Sequence, residues 1–598
     1  MPNPFAIETA ELMDLQRVAE EFVKEHTEHA KLASYAHTVV WGSRGSGKSM
    51  HCRFLEPLAQ AWAPDSGLKG DVRRFIELPG AYVGVYVNCR EPVLNRHELR
   101  GLDAACADRQ LVLSLLDRYL ACVIAERASD TLRTQLSHVL DFAADPGTAP
   151  AWLAAEAGAE QGTRIGSLLE WVQRQCKQWL QSLDAIIDNA YRDGRYVPSL
   201  DAFPAGAPQT TRDIPRLFEW LQQCCHLRVP FFLVFDEANV LCRVHQQCIN
   251  SLISFRSQRY LCIKVASQRE GFPVGLGLDG AVDETHDFTT LDLDDLYTNN
   301  REAYYKRIER IANDRLKRAG LGVGIAEYLP TNPTEVRALE RAREIAARQY
   351  EEIPEDRRPL DRDNYVKKYA PALVFQEVLS HKAGRTYAGF DNLVHLSSGI
   401  VRSFLDCCSG MYTRYTERYP GREPSQIPVS VQGEVITDYS NQFIQTQIVD
   451  RMKTLDRDSE EWKRLAALHS LLKGLGAFFR HRLMDKRSRE PRIISISLKD
   501  DPGPELESVL VLAVQESFLH AKWYRSKRGN RNLRCYVLNR RLCPHFNLDI
   551  TGFQGRVELS SADLSLALRS PDAFLQRIRG MPEEDADADS RQLVLFDM

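Results

Sequence analysis

Ten residues at Trp41–Met50, WGSRGSGKSM, have the types and spacing needed to hold a phosphate chain. They fit Gly-x-x-x-x-Gly-Lys-Ser at every fixed position. Gly42, Ser43, Arg44, Gly45, Ser46 and Gly47 can close backbone N–H groups around phosphate oxygens at the start of a helix, whose dipole favours negative charge. At this spacing Lys48 reaches the β- and γ-phosphates, and Ser49 offers its hydroxyl to a metal ion. ATP with Mg²⁺ is the expected cofactor pair. The motif needs a strand before it and a helix after it, and Tyr35–Trp41 and Met50–Leu55 read as those two elements.

A nucleotide loop also needs an acid at the end of a buried parallel strand. Phe231–Phe235 is five apolar residues in a row, which suits a strand covered on both faces, and it runs straight into Asp236 and Glu237. Asp236 is expected to orient the Mg²⁺ shell and Glu237 to polarise the attacking water. A third strand, Tyr260–Ala266, ends in Ser267-Gln268-Arg269. The polar residue at its end, Ser267 first and Gln268 next, is expected to lie between the first two motifs, near the γ-phosphate.

The totals are those of a globular chain of several domains: 598 residues, 44% hydrophobic and 26% charged. A net charge of -4 excludes a global positive field, so any basic surface must be local. The 14 cysteines show no zinc-ligand spacing, and with no secretory leader in MPNPFAIETAELMD they read as free thiols of a cytoplasmic protein. No apolar run approaches the ~20 residues that span a bilayer, so no membrane partner is expected.

An acidic strand end, a polar strand end about thirty residues later and a distal helical arginine resemble the AAA+ ATPases. The similarity is to the origin-recognition-like and STAND-like clade, which includes bacterial proteins with an origin-recognition-type core. The resemblance implies an α/β fold: a P-loop AAA+ core with a parallel sheet, a helical lid and a C-terminal winged-helix domain. Its sensor arginine falls on Arg402 in Gly399-Ile-Val-Arg402, with Ser397 or Ser398 capping that helix. An arginine finger acting on a neighbouring subunit falls on Arg269, which implies a homo-oligomer. The resulting division is a core at 1–130 and 214–300, a helical insertion at 131–213, a lid at 301–420, a winged helix at 440–575 and an acidic tail at 580–598.

Within the C-terminal third, Trp462–Phe479 has the apolar spacing of an amphipathic helix, and Leu506–Leu519 reads as helical or in part as strand. Residues 521–541 hold eight Lys or Arg and no acid around a Gly529-Asn530 turn, the pattern of a basic hairpin. Lys522, Arg525, Lys527, Arg528, Arg531 and Arg534 are the expected phosphate contacts to DNA, with Arg480, Arg482, Lys486, Arg487, Arg489 and Arg492 extending the surface. Docking of the hairpin on another protein is the alternative.

The tail carries five acids in residues 583–589 and then Gln592, Leu593, Leu595 and Phe596. That ending resembles the peptide by which bacterial replication proteins bind the sliding clamp, with Val594 in place of a polar residue. Self-docking of the tail is the other reading. Two function classes fit the chain. One is an ATP-hydrolysing regulator, slow in turnover, that assembles on nucleic acid in a bacterial replication, mobile-element or antiphage-defence setting. The other is a STAND-like sensor that oligomerises on a protein trigger and controls a separate effector chain.

Overall fold

The computed structural model describes residues 2–24, 26–105, 108–158, 162–192, 199–255, 259–269, 271–275, 277–278, 282–284, 286–294, 297, 300–378, 385–488, 490–525, 532–552 and 556–579. The chain divides into two compact units. One spans Glu8–Leu296; the other joins the residues up to Ile7 to those from Tyr297 onward.

The first unit is built on a parallel sheet of β1 (Thr38–Trp41), β2 (Val83–Asn88), β3 (Phe231–Asp236), β4 (Leu261–Ser267) and β5 (Thr289–Asp292), in the order β2-β3-β4-β1-β5. All six residues of β3 are buried, which explains its unbroken apolar sequence: both faces of the sheet are covered. Numbering the longer helices, together with the short ones the site needs, this unit contains α1 (Leu15–Glu21), α2 (Lys48–Phe54), α3 (His97–Ala105), α4 (Arg109–Gln135), α5 (Ile165–Arg192), α6 (Thr210–Cys224) and α7 (Arg243–Ser254). On one sheet face Cys52 and Leu55 meet Phe232 and Val234. On the other, Val85, Leu233 and Ile263 share a core with apolar residues of α4 to α7.

The stretch 131–213 joins that second core. Along α5 the buried residues Ile165, Leu168, Leu169, Val172, Cys176, Trp179, Leu183 and Ile187 form one stripe at helical spacing, and α5 lies along α4. Trp152, Trp171 and Trp179 pack mutually, with ring centroids 5.9–6.4 Å apart. Two buried acids complete helix starts from a distance. Asp117 accepts the Thr210 N–H at 3.0 Å at the start of α6, and Asp103 accepts the Val244 N–H at 3.2 Å on α7. Each does the work of a local N-cap side chain.

The second unit contains α8 (Arg301–Arg318), α9 (Ile325–Tyr328), α10 (Pro333–Glu351), α11 (Arg362–Leu373), α12 (Phe390–Leu396), α13 (Val401–Arg418), α14 (Val429–Ile444) and α15 (Glu460–Met484). After these come β6 (Ser495–Leu498), α16 (Pro504–Gln515), β7 (Leu519–Arg525), β8 (Asn532–Leu538), β9 (Val557–Leu559), α17 (Ser561–Arg569) and α18 (Pro571–Arg579). The strands form a second sheet in the order β7-β8-β6-β9, with β7 antiparallel to β8 as a hairpin and β6 parallel to β9. The run Leu506–Leu519 divides between helix and strand: α16 ends before Ser517, whose φ of 61° turns the chain into β7.

Ser397 and Ser398 do not cap α13. Its N-cap is Ile400, which makes no side-chain cap hydrogen bond. The Ser397 hydroxyl is committed to the Val394 carbonyl at 2.7 Å and to Tyr304 at 2.8 Å, and the Ser398 hydroxyl accepts the Arg540 N–H at 2.8 Å. The described cysteines are free thiols, buried apart from Cys535. Among the described residues no helix is long and apolar enough to cross a membrane.

Charge is buried within this unit. Asp549 meets Arg492 at 2.7 Å and Arg385 at 3.4 Å, and Arg385 also meets Glu335 at 3.0 Å. Burial opposes ionisation of Asp549, but Arg492 and then Arg385 outweigh it and hold the carboxyl well below its usual range. A depressed carboxylate stabilises the fold above its unfolded pKa near 4, and that stability is lost as pH falls through the folded value. Asp549→Ala, which strands two guanidinium groups, should cost roughly 3–5 kcal/mol. Hydrogen exchange in β6 and α15 is the measurement: faster exchange in the variant at pH 7, converging on wild type at strongly acidic pH, is the expected outcome.

Candidate functional site

The loop between β1 and α2 is shaped by its glycines. Gly47 has φ 103°, and a Cβ on Gly42 would lie 2.5 Å from the Ser46 hydroxyl. Gly47 is also the N-cap of α2 and leaves the first-turn N–H groups without a side-chain cap, the arrangement that suits an anion. Lys48 is buried, its amine donating to the Gly42 and Ser43 carbonyls at 2.9 and 3.0 Å. Asp294, just past β5, accepts both the Ser43 N–H and the Ser43 hydroxyl, at 2.8 and 2.7 Å. Arg44 is exposed and Gly45 is left-handed at φ 88°.

Strand order sets the rest. Because β4 lies between β1 and β3, its last residue, Ser267, stands beside Trp41 on one side and toward Asp236 on the other. Ser267 is fully buried, its hydroxyl on the Gln268 carbonyl at 3.0 Å. The site thus lies at the carboxyl ends of the strands.

Asp236 is fully buried. Its carboxylate accepts the Tyr86 hydroxyl at 2.9 Å, the Glu237 N–H at 3.0 Å and the Ser49 hydroxyl. Burial pushes its carboxyl up to about 6, reinforced by the Glu237 charge and opposed by the Ser49 and Tyr86 hydroxyls. A hydroxyl and a carboxylate in contact are hard oxygen donors, and Ser49 with Asp236 fits a small divalent cation such as Mg²⁺.

Glu237 has a left-handed backbone, φ 57°, uncommon for a residue with a side chain, and forms an ion pair with Arg90 at 3.3 Å. Arg90 escapes a reading of local motifs. Its signal is indirect: Asn88 pairs in register with Asp236, so the turn after β2 lies beside the acidic strand end, and Asn88 accepts the Arg90 N–H at 2.9 Å.

Arg269 is engaged within its own chain, in an ion pair with Asp292 on β5. Arg402 belongs to the other unit, in the first turn of α13 and within electrostatic reach of Asp406. The expected nucleic-acid residues are only partly described. Arg534 on β8 is paired with Glu507 of α16. Lys522 and Arg525 lie on β7, whose backbone alone is described there; Lys527, Arg528 and Arg531 lie outside the described residues, as do Gln592, Leu593, Leu595 and Phe596. Two arginines assigned from sequence to a basic surface have partners within the fold. Arg492 is bonded to Asp549 in the buried network, and Arg480 lies over the Phe375 ring at 5.7 Å while donating to the Asn547 carbonyl at 2.7 Å. Lys486 pairs with Glu377 at 2.6 Å.

Compared with known proteins, the chain matches the family model described as ORC-CDC6-like over residues 3–559. No curated protein matches it.

A buried carboxylate whose pKa is raised must pay for its charge. Folding favours the protonated form, so Asp236 destabilises the ligand-free protein progressively as pH rises above about 4, and fully above about 6. Asp236→Asn should therefore stabilise the ligand-free protein by about 1–3 kcal/mol at pH 7.5, and by less toward pH 5, where wild-type Asp236 is already protonated. Thermal melts of both proteins across that range read the difference; one that does not shrink on acidification would contradict the assignment.

Proposed function

Because the chain belongs to the ORC-CDC6-like family, whose members are AAA+ ATPases of the origin-recognition type, we propose that it binds and hydrolyses ATP at the loop after β1 and uses nucleotide state to control its assembly on DNA. The observation that carries this reading is the placement of Ser49 against Asp236, with β4 and its Ser267 between the loop strand and the acidic strand.

In this reading Lys48 exchanges the Gly42 and Ser43 carbonyls for β- and γ-phosphate oxygens. The loop from Gly42 to Gly47 donates its N–H groups to the same phosphates. Ser49 and Asp236 hold Mg²⁺, which neutralises charge on the phosphate oxygens. Glu237 takes a proton from the attacking water once it is freed from Arg90, and Ser267 orients the γ-phosphate region. Arg269 acts on a neighbouring subunit's nucleotide after exchanging Asp292 for phosphate, and Arg402 senses the nucleotide from α13. Lys522, Arg525, Lys527, Arg528, Arg531 and Arg534 supply phosphate contacts to DNA, with the hairpin of β7 and β8 as the wing. The setting is bacterial replication, a mobile element or antiphage defence, and the C-terminal peptide is a candidate ligand of the sliding clamp.

One observation favours the second reading, a sensor that oligomerises on a protein trigger and controls a separate effector. Arg534, Arg480, Arg492 and Lys486 already have partners within the fold, which reduces the cationic surface.

Lys48→Ala should abolish nucleotide binding. Glu237→Gln should retain binding while turnover falls at least about 100-fold, because the phosphate clamps persist and the base is gone. Wild-type turnover in Glu237→Gln would refute the site assignment. For DNA, replacing Lys527, Arg528 and Arg531 with Ala should lower the salt slope of binding by roughly 0.9 for each phosphate no longer neutralised. DNA binding with an unchanged slope, or assembly that needs a protein and no DNA, would favour the second reading.

A further inference from the structure

The first twenty-one residues do something the nucleotide site does not require: consecutive pieces of them belong to different units. Asn3-Pro4-Phe5-Ala6 is a β-turn. The Ala6 N–H donates to the Asn3 carbonyl at 3.1 Å, proline occupies the second position, and the Asn3 side-chain oxygen accepts the Phe5 N–H at 2.9 Å. This turn is held by α8, α9 and α13. The Asn3 side-chain amide donates to the Ser409 carbonyl at 3.0 Å and to its hydroxyl at 2.9 Å; Arg315 donates to the Ala6 carbonyl at 3.0 Å. Phe5 is fully buried, its ring centroid 5.9 Å from that of Tyr328. Amide, turn backbone and ring each have a dedicated partner, the anchor logic of a short-peptide site.

A few residues later the same segment is fixed to the nucleotide loop's helix. Met13, Val18 and Ala19 share a core with Phe54 of α2, and the Met13 carbonyl accepts from Arg53 at 3.0 Å. Residues 3–6 thus pack within one unit and residues 13–19 within the other.

We propose that the surface formed by α8, α9 and α13 is a recognition site for an Asn-Pro-Phe turn, and that residues 2–7 occupy it as a removable strap. A turn with one buried ring binds weakly when free. On a short tether its effective concentration reaches the millimolar range, enough to keep a weak ligand seated while leaving it displaceable.

The test uses a fluorescent peptide of residues 2–9 and the full chain. Phe5→Ala should vacate the site, so this variant should bind the peptide saturably and at least tenfold more tightly than wild type, whose own strap competes. Peptides carrying Phe5→Ala or Asn3→Ala should not bind. The variant should also show at least tenfold faster hydrogen exchange at residues 2–14 and near Ser409. If Phe5→Ala compromises folding, Asn3→Ala in the full chain serves in its place, because it removes the hydrogen bonds to Ser409 without opening a cavity. Peptide binding to neither protein, or equal binding to both, overturns the proposal. So does unchanged exchange at residues 2–14.

Discussion

The nucleotide unit is organised around one carboxylate that has been taken out of water. Asp236 has no solvent to support its charge, so three elements must bring donors to it: β2 through the Tyr86 hydroxyl, α2 through Ser49, and its own strand through the Glu237 N–H. Tyr86 and Ser49 arrive together only if α2 lies close on β2, and Gly84 makes that approach possible. A Cβ on Gly84 would lie 2.2 Å from the Leu55 carbonyl. A glycine in a strand, ordinarily a weakness, is here the condition for assembling the site.

The second unit uses buried charge to opposite effect. Asp549 is surrounded by guanidinium groups from Arg385 and Arg492, and its carboxyl is held down rather than pushed up. One carboxylate is under-compensated and suited to recruit a cation; the other is compensated internally and locks α10 to the region of β6 and β9 through Arg385 and Glu335. Destabilised groups concentrate where function needs them, and satisfied ones where cohesion does.

Much of this was legible in the sequence because it was local. The loop at 41–50 and the unbroken apolar run of β3 are patterns within one element, and each forms where its pattern predicts. Strand β1 begins at Thr38 rather than Tyr35, because the chain bends at residues 34–36 before it enters the sheet. What was not legible involves partners distant in sequence. Arg90 and Glu237 meet through strand pairing, and Ser398 answers a backbone group 142 residues away. Counting cations along 480–492 could not separate exposed Arg487 from Arg492, whose stem and head are packed against Asp549 and Thr551. Composition predicts charge, but only packing decides which charges face water.

The buried thiols give this protein an internal set of clocks. Cys52 is a buried residue of α2 itself, Cys89 follows the strand end beside Asp236, and Cys407 and Cys408 sit on α13 in the other unit. Burial holds each of these thiols protonated, and none can meet an alkylating reagent until the surrounding structure opens. Their rates of modification would time local opening at the nucleotide loop, at the acidic strand end and at the arginine-bearing helix separately, with no probe added to the chain.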